Sequence, residues 1–104
     1  MPFISMLSFK SHDGNGAKLA ELHMRRRCVE EAAETISGFI AGKTMLCEDD
    51  PSRVLVMCTW ENKSAYQEWL DSPVRAAQTA DLIDSISADV ETLTYQSLLN
   101  LRSG

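Results

Sequence analysis

No apolar run in this 104-residue chain approaches the ~20 residues that a membrane-spanning helix needs, so no membrane span is expected. Positive charge is in deficit. Ten Lys and Arg stand against 15 Asp and Glu, a net charge of −5, which argues against a nucleic-acid partner, whose phosphates need a basic face. The single basic cluster, Arg25-Arg26-Arg27, is followed by Glu30, Glu31 and Glu34 and reads as a solvated helix surface. Cysteine is sparse. Cys28, Cys47 and Cys58 are odd in number, widely spaced and without a C-x-x-C pair, which predicts free thiols and neither a disulfide framework nor a metal site. His12 and His23 are the only histidines, and neither has a second ligand at metal spacing. The first residues lack a basic segment followed by an apolar core, so no secretory signal is read and a cytoplasmic protein is expected. Repeats, linkers and low-complexity segments are absent, and one domain over residues 1–104 is expected.

What is present is organised around Arg53 to Val74. Val54 to Trp60 is apolar except at Thr59, rich in β-branched residues and too short for a lone helix, which predicts a strand buried on both faces. Glu61, Asn62 and Ser64 supply helix-capping chemistry. Ala65, Tyr66, Trp69 and Leu70 then fall on one helical face. Ser72-Pro73 ends that helix and suits the start of another, with Pro73 in its first turn.

The remaining chain must cover this unit. Pro2 to Phe9 reads as a first strand, with Phe3, Ser5, Leu7 and Phe9 on one face. After a polar segment in which Asn15 or Gly16 can cap, a helix is expected from Ala17 to about Ser37. Its stripe is Leu19, Leu22, Val29, Ala33 and Ile36, interrupted by Arg26 and closed by Gly38 as a C-terminal glycine. Phe39 to Cys47 is a second strand, joined through Glu48-Asp49-Asp50-Pro51-Ser52 to the central one as a hairpin. Pro73 to about Ala88 gives a further helix with Ala76, Ala80, Ile83 and Ser87 along one stripe, and Val90 to Leu101 a last strand. The order β-α-β-β-α-β predicts an α+β, ferredoxin-like antiparallel sheet with helices on one face. Central strands apolar on both sides need a cover from outside, for which a second copy of the chain is the simplest candidate.

Gly38-Phe39-Ile40, Asp49-Asp50-Pro51, the Val54 to Trp60 strand ending in Thr-Trp-Glu, and Ala65 to Pro73 together resemble the antibiotic biosynthesis monooxygenase domain. The resemblance implies a homodimeric α+β barrel with a small-molecule pocket between sheet and helices in each subunit. It implies either cofactor-independent oxidation of polycyclic aromatic phenols or quinols by molecular oxygen, or haem degradation. Trp69 matches the helix tryptophan of the haem degraders, but their ligand histidine falls at Thr79, and their first-strand asparagine has no counterpart from Phe3 to Phe9. Haem binding is therefore not expected. Trp60 and Tyr66 match aromatic positions of the phenol-oxidising members, while the asparagine four residues before their tryptophan is Val56 here.

Trp60, Tyr66 and Trp69 are candidates for the pocket wall, since a flat aromatic substrate needs stacking faces and a hydroxyl; the competing reading makes them core under the helix. His23 is a candidate proton acceptor or a half-buried histidine. Arg26 is either a cation for an anionic substrate oxygen or a side chain whose stem lies on apolar surface with its head in water. Two functions are weighed: a cofactor-independent monooxygenase acting on a small aromatic, and a non-catalytic dimeric module that binds or senses a small apolar molecule through the same pocket.

Overall fold

Alternation of large apolar side chains along three segments builds the sheet before any helix is added. In the computed structural model, which describes residues 1–103 without the side chain of Ala88, β1 spans Phe3–Ser11, β2 Phe39–Leu46, β3 Arg53–Trp60 and β4 Ile86–Gln96. All pairings are antiparallel and the strand order is β2-β3-β1-β4, so the β1 and β3 strands are central. Val54, Val56, Cys58 and Trp60 alternate inward on β3 and meet Phe9 and Ser5 of β1 in one core layer. The expected α+β, ferredoxin-like sheet with helices on one face is the fold of this chain.

The helices close that face. Helix α1 is Gly16–Arg25, α2 Cys28–Thr35, α3 Lys63–Leu70 and α4 Pro73–Leu82, with a 3-10 turn at Ile83–Ser85. The capping residues act as their chemistry requires. The Asn15 side chain accepts from the Lys18 N–H, Asn62 from Ala65 and Ser72 from Val74, with Pro73 in the first turn of α4. In the hairpin, Asp50 Oδ1 accepts from both the backbone N–H and the hydroxyl of Ser52, at 3.0 and 2.6 Å.

Four local expectations are corrected. The helix expected from Ala17 to Ser37 is two helices, because Arg27 takes a left-handed conformation (φ 60°) between them. The break turns the inward stripe: Leu22 is 37% exposed, Ala32 is buried where Ala33 was expected, and Ile36 packs inward from beyond the helix end. Gly38 is not a left-handed helix cap. It is needed because a Cβ there would come within 2.6 Å of the Ala65 Cβ. The face of α4 that packs inward is Val74, Arg75, Gln78 and Leu82, while Ala76, Ala80 and Ile83 are exposed. That helix also ends at Leu82, and the last strand starts at Ile86 and stops at Gln96, leaving Leu99 and Leu101 exposed beyond it.

The opposite face of the sheet carries Ile4 and Met6 of β1, Leu55 and Met57 of β3, Met45 of β2, and Leu93 and Tyr95 of β4 in register. No helix covers it. The central-strand side chains on this face are half-buried by their neighbours, so β3 is fully buried on the helix side only. One end of the face is charged: Lys10 pairs with Asp50 and Asp89 at 3.4 and 3.5 Å, and Arg53 with Asp89 at 3.1 Å.

Candidate functional site

Between the sheet and helices α2 and α4 the packing leaves a cavity of about 210 Å³. Its floor is Leu7 and Phe9 of β1, Val56 and Cys58 of β3, and Ile86 and Val90 of β4. Its sides are Cys28, Val29 and Ala32 of α2, Trp69 of α3, and Arg75, Gln78, Thr79 and Leu82 of α4, with His23 of α1 completing the wall. A lining this apolar, with a few polar groups, suits a small flat molecule. A larger cleft of about 450 Å³ lies outside, between the Ser11–Asp13 turn, α1 and Asp84-Ser85. Eight of its ten lining residues are polar or charged, and none is Phe, Tyr or Trp.

His23 is the most unusual group on the cavity wall. It is 7% exposed, its ring lies 5.7 Å from the Phe9 ring, and its Nδ1 is buried with no hydrogen-bond partner among the described residues. Burial lowers its pKa from 6.5 and Glu30 acts weakly in the other direction, so the imidazole is neutral at pH 7. The two cavity thiols respond oppositely. Burial pushes Cys28 and Cys58 each up to about 11, which keeps both protonated.

The aromatic residues form a relay from the core to the cavity. Trp60 is fully buried, and its Nε1 donates to Ser5 Oγ at 3.0 Å. Phe39 meets it edge-on at 5.5 Å, and Tyr66 lies 5.8 Å away. Trp69 stacks on it at 6.4 Å and 29°, with its outer surface on the cavity. Tyr66 packs on Phe3 at 5.5 Å, off the cavity wall, and burial raises its pKa while the nearby Arg75 charge opposes the rise.

Of the six residues singled out by sequence, His23, Trp69 and Thr79 all line the cavity. Thr79 donates its hydroxyl to the Arg75 carbonyl at 3.2 Å. Trp60 and Tyr66 stand behind the cavity wall. Arg26 lies off the cavity and clamps three helices, donating to Glu31 at 2.7 Å and to Asp81 at 2.8 Å. Sequence reasoning missed Arg75 and Gln78. Gln78 is buried and donates to the Cys28 carbonyl at 3.1 Å and to Glu31 at 3.0 Å, tying α4 to α2. A stripe through 75, 78, 79 and 82 has helical spacing, but three of its four residues are polar, so an apolar pattern passes over it. Among the described residues no three His, Cys, Asp or Glu side chains group as a metal site, and no helix is long and apolar enough to cross a membrane.

The profile of the antibiotic biosynthesis monooxygenase family matches residues 2–80. No curated protein matches the sequence. Among solved structures the chain is similar to SnoaB, a cofactor-independent oxygenase from Streptomyces nogalater, at 15% identity and a TM-score of 0.75, covering 98% of each chain. A conserved protein from Methanosarcina mazei superposes with a TM-score of 0.76 at 11% identity over 94% of each chain. A Mycobacterium tuberculosis protein does so with 0.75 at 14% identity, over 98% of this chain and all of that one. At these identities the likeness is one of fold.

Proposed function

The chain belongs to the antibiotic biosynthesis monooxygenase family, and from that premise we propose that it oxidises a small electron-rich phenol or quinol with molecular oxygen, using no metal or organic cofactor. The observation that carries this reading is His23, a neutral buried imidazole with an unpartnered Nδ1, on the wall of an apolar cavity. A phenol bound there gives its proton to the His23 imidazole. The phenolate left behind is electron-rich enough to reduce oxygen directly, so the protein need only bind, orient and deprotonate it. For a phenol with a free para position, the C–H carbon takes one oxygen atom as a carbonyl. The other oxygen leaves as water, and the ring loses four electrons to O₂ in becoming a quinone. Sharing a fold with SnoaB, itself a cofactor-independent oxygenase, supports the same class of chemistry.

In this reading Trp69 stacks on the substrate ring, Thr79 borders it, and Trp60 and Tyr66 hold Trp69 in place. Arg26 acts at a distance by fixing α1, α2 and α4 around the cavity. The cavity volume of about 210 Å³ lies below the ~300–1,000 Å³ of pockets for drug-sized ligands, which favours one or two rings over a polycyclic substrate. The working unit is proposed to be a homodimer of a single-domain chain in the reducing cytoplasm, joined through the uncovered face of Ile4, Met6, Leu55, Met57, Leu93 and Tyr95. Burying that face in a stable interface would remove more than ~1,000 Å² of total surface.

The test is oxygen uptake with one- and two-ring phenols and quinols, on the wild type and His23→Gln. Uptake by the wild type, reduced ~10²-fold in His23→Gln at an unchanged melting midpoint, supports the reading. Binding without any uptake by the wild type would replace it with the sequestering module.

A further inference from the structure

Six arginines occur in the chain, and Arg75 differs from the other structured ones in what surrounds it. Arg25, Arg26, Arg27 and Arg53 are each ion-paired, with Glu21, with Glu31 and Asp81, with Glu34, and with Asp89 respectively. Arg75 is half-buried on the cavity wall, and no carboxylate pairs with it among the described residues. In a chain with 15 acidic residues to 10 basic ones, a partner was available in composition but is not supplied in space. An unpaired guanidinium beside an apolar lining favours a ligand that carries an anion into that lining. Its planar fork fits a carboxylate through two parallel hydrogen bonds, a match that a single phenolate oxygen cannot make.

We propose that the cavity takes a flat apolar molecule bearing one carboxylate, with the carboxylate on the Arg75 guanidinium and the ring against Trp69. The inference rests on the cavity being the ligand site proposed above, and it narrows the ligand class to aromatic monocarboxylates. Arg75 thereby fixes which end of the ring system enters first, and so which ring atom lies beside His23.

Calorimetric titration with 2-naphthoate and with its neutral counterpart 2-naphthalenemethanol separates the two claims. The wild type should bind naphthoate at least ~10-fold more tightly than the alcohol, the range of one charge-assisted pair in a partly buried site. Arg75→Met and Arg75→Gln should reduce naphthoate to the level of the alcohol while leaving alcohol affinity and the melting midpoint unchanged. Arg75→Lys should keep part of the preference, since it restores charge without the fork. Equal affinities in the wild type, or a naphthoate preference that survives Arg75→Met, would overturn the carboxylate assignment while leaving the cavity intact as a ligand site. Failure of both probes to bind would remove the cavity itself as the site.

Discussion

Replacing Trp60 with phenylalanine tests whether the central tryptophan works by packing or by touching a ligand. Trp60 is 0% exposed, and its Nε1 donates to Ser5 Oγ, itself 8% exposed. Phenylalanine removes the pyrrole part of the indole and leaves a void of roughly 40 Å³, worth about 1 kcal/mol at ~24 cal/mol per Å³ if nothing collapses. Loss of transfer free energy for the deleted atoms adds ~1 kcal/mol. The broken hydrogen bond adds a further ~1 kcal/mol, giving a total of ~3 kcal/mol. Ser5→Ala alone should cost ~1–3 kcal/mol, because it strands a fully buried indole N–H. In the double variant no stranded partner remains, so its loss should fall short of the sum of the two single losses by ~1 kcal/mol or more. Urea denaturation followed by circular dichroism, at one fixed protein concentration, measures all four corners of the cycle. Additive losses, or a Trp60→Phe cost below ~0.5 kcal/mol, would refute the account. Ligand affinity per folded molecule should fall less in Trp60→Phe than in Trp69→Ala, because Trp69 reaches the cavity and Trp60 acts on it only through their stacking.

Lowering the pH from 7 to 5 should destabilise the wild type more than His23→Leu. The folded-state pKa of His23 lies below its unfolded value of 6.5, so its contribution is full above 6.5 and is lost as pH falls below that value towards the folded pKa; parallel pH–stability curves would refute this. Maleimide labelling of the native protein should modify Cys47, half-exposed, well before Cys28 and Cys58, whose thiols are held protonated by pKa values of about 11; mass spectrometry of the labelled peptides gives the order. Arg27→Gly should leave stability equal or up to ~1 kcal/mol higher, since glycine takes the left-handed conformation freely, whereas Arg27→Val should lose ~1–2 kcal/mol. A valine variant as stable as the glycine one in the same urea series would show that the left-handed φ carries no strain. Light scattering at micromolar concentration should give about twice the 11.6 kDa chain mass, and a clean monomer would exclude the sheet-to-sheet dimer.

Local chemistry by itself determined where α1, α3 and α4 begin and which segments are strands. Asn62, Ser72 and Pro73 cap in place because a cap needs only its own turn, and the Val54, Val56, Cys58, Trp60 alternation marks one face of β3 because the side-chain period of a strand is fixed at two. The pairing of Ala65, Tyr66 and Trp69 on one face of α3 follows from helical spacing in the same way. Tertiary contacts decided the rest. The break at Arg26-Arg27 depends on Glu31 and Asp81, which the fold brings to Arg26 from α2 and from a residue 55 positions away. The inward face of α4 depends on the Cys28 carbonyl and on Glu31, which give buried Gln78 its two acceptors, so a polar side chain lies inward and the alanines outward. The same holds for the aromatic residues. Spacing put Trp60, Tyr66 and Trp69 together, but only the stacking of Trp69 over a buried Trp60 determined which ring meets the cavity. Periodicity records how much apolar surface an element hides. Which neighbour hides it, and what gap is left between them, is set by the packing of segments distant in sequence.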